Sequence, residues 1–296
     1  MSAVTTVARA ADPPPTLVFE PIERVVSNNK IQVFHGNAPA GGMWKSILLT
    51  KMATGDLRSC TAAMIGDDAL LTAAHCVDIN KLPALARVAI RLGPVEVMFK
   101  CQIDPSYAGF PGAYPRSPSD FAICTRVTTD ANGKPLAPPP NAYRNLPREY
   151  LDLSAPVGAA SVLLTGYGCV GMAVDLADET VEAGPFDEVF RVGRETLAPS
   201  TAGDERLVTV SQDAVEPALC KGDSGAPLLT GVNPRLKPEC RAIIGVASQV
   251  AVENHQLVSR YAALSSPTFK ALLADSGAKV RIAPSGHGTG GSCATT

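Results

Sequence analysis

Apolar residues in this chain come in short runs of about four to seven, each cut off by glycine, proline or aspartate, and this punctuation constrains the fold more than any other feature. Runs of this length suit strands, whereas a packed helix needs about ten residues or more with apolar positions three and four apart. One set of runs covers residues 46–50, 60–64, 70–73, 88–92, 95–103 and 121–124. A second set covers 160–165, 188–197, 206–210, 227–230, 242–249 and 257–264. Between the sets, residues 128–149 hold Asn132-Gly133 and Pro138-Pro139-Pro140, too many breakers for a packed element, and read as a connection. Helix chemistry appears near the end. Ser266 is an N-cap residue, Pro267 suits a first helical position, and Phe269, Leu272 and Leu273 share one helical face, so a short helix is expected over 266–276, with a Gly-rich tail over 277–296.

A chain of 296 residues with 46% hydrophobic content can fill one large core or two small barrels. Net charge is −2 and the pI about 6.1, which offers no general attraction for nucleic acid or anionic lipid, and neither is expected as a partner. No apolar run approaches the ~18 residues of a membrane-spanning helix. The eight cysteines lack Cys-x-x-Cys spacing, which points to an oxidising compartment, secreted or periplasmic, rather than to a metal site. Ala8-Arg9-Ala10 before Ala11-Asp12-Pro13 reads either as the remnant of a signal-peptide cleavage site or as a leader in which small residues recur by chance.

Cys220-Lys221-Gly222-Asp223-Ser224-Gly225-Ala226-Pro227 is a tight turn that sets one serine between two glycines. Gly222 and Gly225 permit backbone angles other residues avoid, so the N–H groups of Gly222 and Ser224 can converge beside the Ser224 hydroxyl as an oxyanion hole. A serine needs a base to take its proton. Of four histidines, His255 and His287 lie in polar or Gly-rich stretches and His35 near the start, while His75 follows the apolar run Ala69-Leu70-Leu71-Thr72-Ala73-Ala74 and precedes Cys76.

Leu71-Thr72-Ala73-Ala74-His75-Cys76 together with Gly222-Asp223-Ser224-Gly225 resembles the chymotrypsin-like (trypsin-family) serine peptidases, and a bacterial, secreted member above all. Asp120-Phe121-Ala122-Ile123 resembles that family's aspartate strand, Thr165-Gly166-Tyr167-Gly168 a later strand end, and Gly245-Val246-Ala247-Ser248 the strand lining its cleft. The resemblance implies an all-β fold of two six-stranded antiparallel β-barrels with a short C-terminal helix. The expected division is a leader or propeptide over 1–32, a first barrel over 33–127, the connection over 128–149, a second barrel over 150–265, then helix and tail. It further implies a monomeric endopeptidase without cofactor or metal, in which Ser224 attacks the peptide carbonyl, His75 relays the proton, Asp120 orients His75, and Ser248 supports Asp120.

Finer expectations follow from the same resemblance. Val33-Phe34-His35-Gly36 resembles the start of a mature enzyme, so an activating protease would free an α-amino group at Val33 to pair with Asp223, although Gln32 replaces the usual basic residue. Cys60 pairs with Cys76; Cys101 with Cys124, Cys169 with Cys220 and Cys240 with Cys293 are conjectured beside it, out of 105 pairings open to eight cysteines. Ala218, Leu219, Gln249 and Val250, with Ser259 at the wall, suggest a shallow apolar pocket that prefers small aliphatic residues before the scissile bond. Asp213 or Glu216 displaced into it would restore an Arg/Lys preference. A secreted binding module that retains the fold without catalysis is the alternative function.

Overall fold

The structure is a computed structural model and describes residues 16–21, 44–52, 60–78, 87–107, 118–156, 159–175, 177–199, 205–211, 216–230 and 240–284. In the first half, strands β1 (Thr16–Glu20), β2 (Ile47–Met52), β3 (Thr61–Gly66), β4 (Ala69–Thr72), β5 (Arg87–Leu92), β6 (Val95–Ile103) and β7 (Ala122–Arg126) close into a barrel in the order β1-β2-β3-β4-β7-β6-β5. A one-turn helix, α1 (Ala74–Val77), follows β4. The six expected strands are all present, and β1 is a seventh. It comes from residues assigned to the leader, and it pairs antiparallel with β2 and parallel with β5. Burial explains its recruitment: Leu17, Val18 and Phe19 are at most 3% exposed, which removes three apolar side chains from water.

Helix α2 (Asn141–Arg144) lies in the connection, and Tyr143 is buried there with its hydroxyl donating to the Asp67 carbonyl at 2.7 Å. The second half contains β8 (Tyr150–Leu151), β9 (Ser161–Gly166), β10 (Met172–Asp175), β11 (Thr180–Ala183), β12 (Arg191–Thr196), β13 (Arg206–Ser211), β14 (Pro227–Thr230), β15 (Ala242–Glu253) and β16 (Gln256–Ala263). Six of these run β12-β9-β14-β15-β16-β13, and a bridge between Leu197 and Thr209 joins the two ends, so this sheet curls into the second barrel. β8 adds to β15, and β17 (Arg281–Ile282), from the expected tail, adds to β8. Asn254 and His255 both have positive φ, the geometry of a two-residue hairpin turn, and place the long β15–β16 hairpin in register from Glu253↔Gln256. The hairpin β10–β11 stands outside both barrels and has no counterpart among the expected strands.

Helix α3 (Pro267–Ser276) begins as its sequence suggests: Ser266 Oγ accepts the Phe269 N–H at 3.1 Å, and Gly277 ends the helix at φ 63°. The helix returns to the first barrel, where Phe269 meets Phe121 edge to face at 5.1 Å. A charged cluster also joins the barrels. Arg241, with no exposed surface, donates to both oxygens of the equally buried Glu149, at 2.9 and 2.5 Å, and lies 3.6 Å over the Trp44 ring. Ser46 donates to the same carboxylate. Phe121 directly follows Asp120, so the α3 joint also holds the start of β7.

Candidate active site

Strand β4 is wholly apolar or small at its end, and its pairing with β7 in the register Thr72↔Ala122 brings the residues after one strand beside those before the other. His75 and Asp120 therefore meet. Asp120 has no exposed surface; its Oδ1 accepts the backbone N–H of His75 at 3.0 Å, and its Oδ2 lies 2.7 Å from His75 Nδ1. Ser248 Oγ, from β15, donates to the same Oδ2 at 2.5 Å. Burial alone would raise the Asp120 pKa. The charge of the neighbouring imidazole and the bonds from His75 and Ser248 outweigh it, holding the carboxyl below its usual range. Nδ1 is thus the ring nitrogen that His75 turns to Asp120.

The Ser224 turn comes to the same place. The Ser224 carbonyl accepts the Thr61 N–H at 2.7 Å and lies 3.7 Å from the sulfur of Cys76, the residue after His75. Gly225 (φ 84°) packs so closely on Thr61 and Thr72 that a Cβ there would overlap both. Gly222 (φ 103°) has the left-handed backbone the sequence suggested, and a Cβ there would overlap the Phe186 ring. Among the described residues the N–H groups of Asp223 and Ala226 bond within the turn, and that of Gly225 donates to the Ala247 carbonyl on β15. Those of Gly222 and Ser224 stay out of this set.

Asp223 is buried beneath the turn, accepting from Gly168 N at 2.6 Å and from Cys220 N at 2.8 Å. Gly166 and Gly168 make its space, since a Cβ at either would overlap the carboxylate. Burial pushes its pKa up to about 7, against the opposing pull of these two N–H bonds and the charge of Arg191. Val33, its expected partner after cleavage, lies outside the described residues. Disulfides Cys60–Cys76, Cys101–Cys124 and Cys169–Cys220 are formed, and the last ties the turn to the strand end at Gly168. Cys293, conjectured to pair with Cys240, lies outside the described residues, as does Asp213.

A cleft of about 1030 Å³ opens beside Ser224. Leu219 and Lys221, the 247–253 stretch of β15, and β10–β11 line it. Leu219, Ser248, Gln249 and Val250 are all part of this lining. Ala218 and Ser259 are not part of the lining: Ala218 packs with Val252 and Leu257, and Ser259 Oγ accepts the Leu219 N–H at 3.0 Å. Glu216 is absent from the lining as well. The β10–β11 hairpin gives this cleft a wall that the expected pocket residues do not include.

No family model matches the chain, and no curated protein matches it. Among solved structures it is similar to neuropsin, a serine protease expressed in the limbic system of mouse brain, at 16% identity, over 73% of this chain and 88% of that one, with a TM-score of 0.48.

Proposed function

We propose that the chain is a serine endopeptidase that cleaves peptide bonds through an acyl-enzyme. The observation that supports this reading is the bonded string His75–Asp120–Ser248, with the residue after His75, Cys76, 3.7 Å from the carbonyl of Ser224 in a turn built on left-handed Gly222 and Gly225. In the first step His75 Nε2 takes the Ser224 proton as Oγ attacks the carbonyl, and the N–H groups of Gly222 and Ser224 receive the developing oxyanion. His75 then gives the proton to the leaving amine, and water repeats the sequence to release the acid. Asp120 holds the imidazole in one tautomer and stabilises its charged form. Leu219 and Val250 favour a small aliphatic side chain before the scissile bond. Three disulfides fit an oxidising compartment, and among the described residues no helix is long and apolar enough to cross a membrane.

Activation by cleavage before Val33 belongs to the same reading. Asp223 accepts backbone N–H bonds alone among the described residues, and a buried carboxylate gains from a cation. A new α-amino group would supply one and draw the turn tighter. The test is hydrolysis of a mixed peptide pool by full-length and cut protein, each beside its Ser224→Ala variant. Cleavage that depends on Ser224 and rises on cutting is expected; cleavage unaffected by Ser224→Ala rejects the enzyme assignment, and equal rates before and after cutting reject activation.

A further inference from the structure

We propose that the cleft also selects a basic side chain of the peptide close to the scissile bond, held by Gln249 and by the carboxylates of the β10–β11 hairpin. This rests on the peptidase reading and names the substrate class within it.

The hairpin is one-sided in charge. Residues 172–183 contain Asp175, Asp178, Glu179 and Glu182 and neither lysine nor arginine, in a chain whose net charge is only −2. Asp175 is spent on the turn, accepting the N–H groups of Ala177 and Asp178 at 2.9 and 3.0 Å. Glu179 and Glu182 are exposed, line the cleft, and have no ion-pair partner among the described residues. Glu253 on the facing strand differs, because Arg260 pairs with it. Carboxylates gathered on one wall of a cleft repel one another and raise the local concentration of cations.

Gln249 makes an independent demand. It is 7% exposed and lines the cleft next to Ser248, yet its Oε1 is buried without a hydrogen-bond partner. Buried acceptors are normally satisfied, and one left open in a cleft wall fits a donor that arrives with the substrate after a small turn of the amide. Ammonium and guanidinium groups donate, as do hydroxyls, amides and backbone N–H groups, and the carboxylates on the hairpin favour the charged donors among them. Space permits it, because about 1030 Å³ far exceeds one small aliphatic side chain and accommodates several residues of peptide. At ~3.3 Å per strand residue, the stretch from Ser248 to Glu253 runs roughly 17 Å, so the cation belongs to a residue flanking the one before the scissile bond.

The test uses Ser224→Ala protein, which removes turnover and leaves binding as the readout. Labelled peptides carrying one Lys scanned through four flanking positions are titrated against the same peptides with Gln. At one position the Lys peptide should bind two- to tenfold tighter at low salt, the advantage shrinking at 0.5 M NaCl and vanishing in Glu179→Gln/Glu182→Gln. Gln249→Leu should cut the same advantage without lowering Tm, because it removes an acceptor that has no internal partner. Equal affinities at every position, including no measurable binding of either peptide, overturn the proposal, as does a Lys preference that survives the double variant. Hydrolysis by the unsubstituted protein is scored separately, so failure of the peptidase reading remains distinguishable.

Discussion

Ser248 Oγ and His75 Nδ1 converge on a single oxygen of Asp120, at 2.5 and 2.7 Å, while its other oxygen accepts the His75 backbone N–H. A carboxylate so held fixes both the position and the tautomer of the ring. Asp120→Asn keeps the shape and loses the tautomer, and kcat should fall about 10⁴-fold. Ser248→Ala removes one charge-assisted bond, worth about 1.5–3 kcal/mol, and should cost about 10- to 150-fold. Steady-state kinetics on one peptide would check both, and a Ser248→Ala loss as large as that of Asp120→Asn would contradict the division of roles.

Asp223 gives stability a pH dependence of definite sign. An unfolded aspartate ionises near pH 4, whereas in the fold burial raises the group to about 7. Between these values the folded chain binds more protons at this site than the unfolded chain. The contribution of Asp223 is therefore fully present below about pH 4 and is lost as pH rises through about 7. Glu195, half-buried and also raised to about 7, acts in the same direction in both proteins compared. Urea midpoints of uncut Ser224→Ala protein with and without Asp223→Asn, taken from pH 4 to 8, should show the steeper decline where Asp223 is present; parallel curves would contradict this.

The Arg241–Glu149 pair should behave as a buried clamp between the barrels. Arg241→Met alone leaves Glu149 charged and unmatched and should cost about 3–5 kcal/mol, whereas Arg241→Met with Glu149→Leu should recover much of that loss. Denaturant unfolding would reveal it. A single variant as stable as the parent would show that the pair is not the joint described.

Deleting residues 1–20 should unfold the first barrel. Leu17, Val18 and Phe19 each contribute roughly 1.5–3 kcal/mol by burial, a sum comparable with the total stability of a typical domain. After cleavage before Val33, the fragment carrying β1 should stay bound through its pairing with β2 and β5. A soluble, cooperatively unfolding protein that lacks residues 1–20 would contradict this role.

Much of this was readable in the chain because the relevant signals are local. Leu70, Leu71 and Thr72 announce a strand, Ser266-Pro267 a helix start, and Gly222 and Gly225 a turn that other residues would strain. What escaped notice depends on distant partners. Residues 16–20 look like part of a polar leader until β2 and β5 flank them. The hairpin strands, Met172–Asp175 and Thr180–Ala183, are half exposed and too weakly apolar to stand out. Arg241 and Glu149 lie 92 residues apart, and nothing near either predicts their burial. For Ala218 and Ser259 the motif located the right neighbourhood, but their contacts, Ala218 with Val252 and Leu257 and Ser259 with the Leu219 N–H, come from residues far along the chain.

The most direct measurement is covalent labelling with a fluorophosphonate, which reacts with an activated serine hydroxyl. Cut protein should take up one adduct, located at Ser224 by mass spectrometry, and lose it in Ser224→Ala and in His75→Ala. No adduct before or after cutting, or equal labelling of Ser224 in His75→Ala, would contradict the assignment of Ser224 as a nucleophile activated by His75.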